Sequence, residues 1–138
     1  MKSVLTALAL SAAASSAQAA DITAQPTTHF IWERTPEGVA FAPLEGDRFA
    51  EAYMAMVELP AGLVSPAHIK SATMFGVVTQ GTFVHQIDGE TSQATELGVG
   101  SYYKIPAGVA HVSKCISEVP CVTFVYQDGP FDFLPVPQ

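Results

Sequence analysis

Three of the chain's four histidines, His68, His85 and His111, fall between Gly62 and Cys115. Imidazole is a ligand for zinc, iron, copper, nickel and manganese, and near neutral pH it can also take or give a proton. Lys70 stands two residues after His68. The run Val64-Ser65-Pro66-Ala67 before it is held extended by its proline. Period-2 geometry then puts His68 and Lys70 on one face and Ile69 on the other. An ammonium on the same face as a metal ligand repels a divalent cation, so this pair admits more than one chemistry. Cys115 lies four residues after His111 and shares its strand parity, which suits a thiolate ligand. Five residues also separate it from Cys121, and this Ile116 to Pro120 segment suits a hairpin connection whose foot a disulfide would bridge. The disulfide is the first reading, and the chain-entropy model gives about 2 kcal/mol for so short a loop.

The punctuation around these residues resembles a known family. The first block reads Gly62, five residues, His68, one residue, Lys70, then Met74, and it closes on Gln80-Gly81. The second reads Gly100, five residues, Pro106, one residue, Gly108, two residues, His111, three residues, Cys115. Together they resemble the two signature motifs of the cupin superfamily. The resemblance implies an all-β, single-domain jelly-roll barrel of two antiparallel sheets. It is nearest to small cupins related to the cupin-like domain of a zinc-binding anti-sigma factor and to diketone-cleaving dioxygenases. These relatives imply a histidine-bound divalent metal (Zn, Fe, Mn, Ni or Cu) with His68 and His111 at ligand positions. Lys70 replaces the family's second histidine, Met74 its glutamate and Cys115 its asparagine.

His85 enters through a register argument. If Gln80-Gly81 is a two-residue hairpin turn, Gly76 faces His85, and His85 points inward on the side of Met74, as a candidate third metal ligand. The alternative leaves His68 and His111 as hydrogen-bonded residues of an emptied pocket and His85 on a solvent face. Lys70 could anchor a substrate carboxylate, act as a base or Schiff-base amine, or snorkel to water at the barrel mouth. Of Tyr102 and Tyr103, one should face inward by alternation; Tyr102 is carried as a candidate hydrogen-bond donor to substrate, against a packing role.

The elements that must position these groups are short strands. The sequence suggests strands at 29–32 and 38–44, a long apolar segment at 49–59, and strands at 74–79, 82–87, 109–115 and 121–126. A polar connection at 91–98 and an apolar tail at 131–135 complete the pattern. In 49–59 both alternating sets are apolar, so helix stays open on periodicity alone, while the resemblance assigns a strand. Length allows one domain: 138 residues, with 1–19 read as a secretory signal peptide (Lys2, the apolar run Val4 to Ala14, Ala17-Gln18-Ala19) and 20–138 as the cupin domain. Cleavage would leave five basic side chains against thirteen acidic ones. That balance argues against nucleic acid and anionic lipid as partners, and no second apolar run follows that could hold the mature chain in a membrane.

The sequence therefore suggests a periplasmic or secreted cupin that binds a small molecule, with homodimerisation as the family allows. Two functional classes stand. One is a metal-dependent oxygenase, lyase or isomerase acting on an oxygen-rich or anionic substrate. The other is a non-catalytic metal- or small-molecule-binding protein with a degenerate site.

Overall fold

The computed structural model describes residues 21–137, so the signal peptide read over 1–19 lies outside the described residues. After a turn of 3-10 helix at Thr27–His29 come eleven strands. They are β1 (Glu33–Arg34), β2 (Ala40–Glu45), β3 (Tyr53–Leu59), β4 (His68–Ile69), β5 (Met74–Gln80) and β6 (Phe83–Ile87). The rest are β7 (Glu96–Leu97), β8 (Tyr102–Ile105), β9 (His111–Cys115), β10 (Cys121–Gln127) and β11 (Leu134–Pro135). One sheet has the order β1-β2-β3-β10-β5-β8 and the other β11-β4-β9-β6-β7. All pairings are antiparallel.

Alternation decides which side chains face the space between the sheets. On β3, Tyr53, Ala55, Val57 and Leu59 are buried, and the intervening Met54, Met56 and Glu58 face outward. The 49–59 segment is thus a strand with a tight turn before it. β10 repeats the pattern, burying Cys121, Thr123, Val125 and Gln127. On β9 the inward set is His111, Ser113 and Cys115, and on β8 it is Tyr103 and Ile105. The core is the meeting of these faces with Phe41, Val78 and Phe83. The motif glycines Gly62, Gly81, Gly100 and Gly108 all have positive φ, between 73° and 86°, which is why the spacing predicted the turns so well.

Several expectations need correction. Gln80-Gly81 is not a hairpin turn: β5 lies between β10 and β8 in one sheet, while β6 pairs with β9 and β7 in the other. The chain crosses between sheets here, β5 pairing with β10 and β6 with β9. The Cys115–Cys121 connection is likewise a crossover, since β9 and β10 belong to opposite sheets. Residues 29–32 form no strand; the chain pairs only at Glu33↔Phe41 and Arg34↔Ala40. Pro43 does not end β2; it lies within the strand, beside an irregularity in the pairing with β3. The polar connection contains β7, and the tail is a strand, with Leu134 opposite Ile69 and Pro135 opposite His68.

Candidate functional site

Between the sheets lies a cavity of about 520 Å³. Its walls are mainly apolar, including Phe41, Val57, Leu59, Phe83 and Val125, and its polar members include His68, Lys70, His85, Ser113 and Thr123. Engineered apolar cavities of roughly 150 Å³ already bind benzene-sized guests, and ligand sites run from roughly 300 to 1,000 Å³.

The histidines are placed by strand pairing. His68 on β4 stands opposite His111 on β9, with ring centroids 4.3 Å apart. His85 stands opposite Ser113 one strand further on and contacts its hydroxyl at 2.9 Å through Nδ1. His85 does turn inward, but through pairing with β9 and not with β5. Gly76 makes room as expected for a different ring: a Cβ there would lie 2.2 Å from the Tyr103 ring, and Tyr103 in turn packs on His85 at 4.3 Å. Tyr103 is therefore the inward tyrosine, its hydroxyl 3.1 Å from Thr123 Oγ1. Tyr102 is 61% exposed on the outer face, so alternation removes it from the candidate site.

The Nδ1 atoms of His68 and His111 lie 3.0 and 2.9 Å from the carbonyls of Pro66 and Val109, to which they donate. That tautomer leaves Nε2 as a bare acceptor. The Nε2 atoms of His85 and His111 are buried without a partner. Desolvation is the main cause holding all three rings neutral: it lowers His68 to about 4 and His85 to about 3, and pushes His111 down as well.

Lys70 does not snorkel. It is 5% exposed, and its ammonium donates to the main-chain carbonyl of Asp132 and lies 3.9 Å from the centroid of Phe131. Phe133 stacks on His68 at 4.1 Å with the planes 16° apart. Nothing in the sequence reading gave these tail aromatics a place in the site. The signal was the alternation of Phe131-Asp132-Phe133-Leu134, read only as a packed tail. Burial lowers the Lys70 pKa to about 8, opposed by the attraction of Asp132.

Do these residues fit the divalent metal that the resemblance implies? The anchored Nδ1 atoms and bare Nε2 atoms are what metal-binding imidazoles need. The positions are not. Among the described residues no three His, Cys, Asp or Glu side chains are close enough to share an ion. His111 packs on His68 but does not line the cavity, and a buried ammonium and Met74 stand where two further ligands would be. As placed, the donors do not make up a metal site.

Cys115 and Cys121 are bonded to each other, with sulfurs 2.08 Å and Cα atoms 5.7 Å apart, so Cys115 does not serve as a thiolate. The bridge spans the two sheets.

Residues 17–138 match the family described as "Domain of unknown function (DUF4437)". The chain belongs to that family. No curated protein matches it. Among solved structures, the polyketide cyclase RemF from Streptomyces resistomycificus is similar with a TM-score of 0.66 at 17% identity, covering 85% of this chain and 87% of that one. An RmlC-like cupin from Shewanella frigidimarina gives 0.62 at 17% identity, covering 78% and 89%. KdgF from Halomonas sp. gives 0.60 at 17% identity, covering 75% and 92%. This DUF4437 chain has the cupin fold. The fold hosts unrelated activities, so function must be argued from its own cavity.

Proposed function

We propose that this protein binds a small, mainly apolar molecule in the space between its sheets. The carrying observation is the cavity of about 520 Å³, far above the voids that close-packed interiors retain. A general base works best with a pKa near the operating pH. The His68 and His85 rings, at about 4 and about 3, are acceptors of hydrogen bonds more than bases, and Lys70, at about 8, is the cavity group nearest neutrality. Residues 1–19 and the Cys115–Cys121 bridge support action in an exported, oxidising compartment.

The experiment is to purify the protein without a histidine tag, release any co-purifying molecule by denaturation for mass spectrometry, and titrate the emptied protein with octanol. Binding that is abolished by filling the cavity with Leu63→Trp supports the reading. Equal binding by the folded variant contradicts it.

The partnerless Nε2 atoms of His85 and His111 favour a second reading, in which a divalent ion draws His68, His85 and His111 together. Elemental analysis decides it: near-stoichiometric metal, lost in His85→Ala and His111→Ala, would establish that site and reopen the metal-dependent oxygenase, lyase or isomerase. Metal below about a tenth of an equivalent after reconstitution, implying weak association at working concentrations, would remove it.

A further inference from the structure

Lys70 carries a charge that Asp132 attracts but that no carboxylate among the described residues pairs with directly. Its ammonium has three hydrogens, and among the described residues its one hydrogen-bond acceptor is the Asp132 carbonyl. The Asp132 carboxylate does not form an ion pair with it, because that group is engaged by the Ser71 amide at 3.0 and 3.2 Å and by the Ser71 hydroxyl. The ion pairs among the described residues are Arg34–Glu58 and Arg48–Glu33, and neither involves Lys70. Met74 in the same wall offers no charge. The faces of Phe131 and Phe133, 3.9 and 5.8 Å from Nζ at their centroids, give the cation partial support and shield it from water. A buried cation held by a carbonyl, two rings and the attraction of a carboxylate that makes no ion pair with it is costly to the folded chain unless a further anion joins it.

We propose that Lys70 anchors the carboxylate of a mainly apolar monocarboxylic acid whose body fills the cavity. This rests on the reading of the cavity as a ligand site. The wall holds no arginine and no second lysine, and the neighbouring imidazoles are neutral, so a single negative charge matches it. A phosphate or dicarboxylate would bring charge that nothing here meets, and Glu37 in the same wall would oppose it. The carboxylate takes the two free ammonium hydrogens, while the apolar body meets Phe41, Val57, Phe83 and Val125.

Calorimetric titration at pH 7 with octanoate, octanol and succinate, on wild type and Lys70→Met, tests this. Wild type should bind octanoate about tenfold or more tighter than octanol, as a charge-assisted hydrogen bond implies, and succinate not measurably. In Lys70→Met the octanoate preference should vanish while octanol binding persists. If wild type binds octanol as tightly as octanoate, the carboxylate assignment is overturned and the cavity reading stands. If neither octyl probe binds, both fall. An octanoate preference retained in Lys70→Met also overturns the assignment. Lys70→Gln, with folding checked by circular dichroism, supplies the same readout if the methionine variant does not fold.

Discussion

The two ends of β9 and β10 are built on different principles. At the Cys115 and Cys121 end, a disulfide crosses between the sheets, and the chain closes round it tightly. A Cβ on Gly81 would come within 2.8 Å of Cys121 Sγ, and the Ser117 hydroxyl accepts the Thr82 amide at 2.8 Å. Polar groups there are satisfied and no charge is buried. Towards the His111 and Gln127 end, a lysine is buried without an ion pair, the Nε2 atoms of His111 and of His85 at mid-strand lack partners, and Phe133, just before β11, stacks on His68. Stability is concentrated at the first end and unsatisfied chemistry at the second, which is the pattern expected where a fold accommodates a ligand.

The largest effect should come from breaking the closed end. Replacing both cysteines by alanine should lower unfolding stability by about 2–5 kcal/mol in urea titration, without altering the octanoate preference. A loss confined to ligand binding would contradict the division of roles. Next, Gly76→Ala puts a methyl into the Tyr103 ring and should cost about 1–3 kcal/mol, as overpacking does, with altered Tyr103 fluorescence or NMR shifts. A neutral Gly76→Ala would mean that Tyr103 has room to move.

The buried imidazoles give a pH signature at the other end. Folded His68 and His85 are lowered to about 4 and about 3 from the ordinary 6.5, so below pH 6.5 the unfolded chain takes up protons that the folded chain refuses. Above the unfolded value their burial carries no protonation cost, and stability falls as pH drops from 6.5 towards 3. His85→Gln should flatten that slope in melting curves; an unchanged slope would show that other groups govern acid unfolding. The smallest effect belongs to the tyrosine pair. Tyr102→Phe should stay within about 0.5 kcal/mol of wild type, while Tyr103→Phe loses the Thr123 contact and about 1 kcal/mol.

Legibility in the sequence followed the same division. The turns were readable because Gly62, Gly81, Gly100 and Gly108 each occupy a backbone conformation that favours glycine, and alternation put His111 and Cys115 on one face of β9. Strand partners were not readable. Gln80-Gly81 has hairpin chemistry, yet nothing local says whether the next strand pairs beside the last or in the facing sheet. His85 was placed inward through the wrong neighbour for that reason. The Lys70 environment was hidden more deeply, since it depends on residues 131–133, some sixty positions away, folding back over β4.

The most direct test of the account is the melting temperature of Lys70→Met against wild type at pH 7, with and without octanoate. Removing a buried charge that has no ion pair should raise the melting temperature of the empty protein by a few degrees, and octanoate should stabilise wild type more than the variant. A Lys70→Met protein that melts lower than wild type when empty, and is stabilised equally by octanoate, would show that Lys70 is a structural tie to the C-terminal strand and not a ligand anchor.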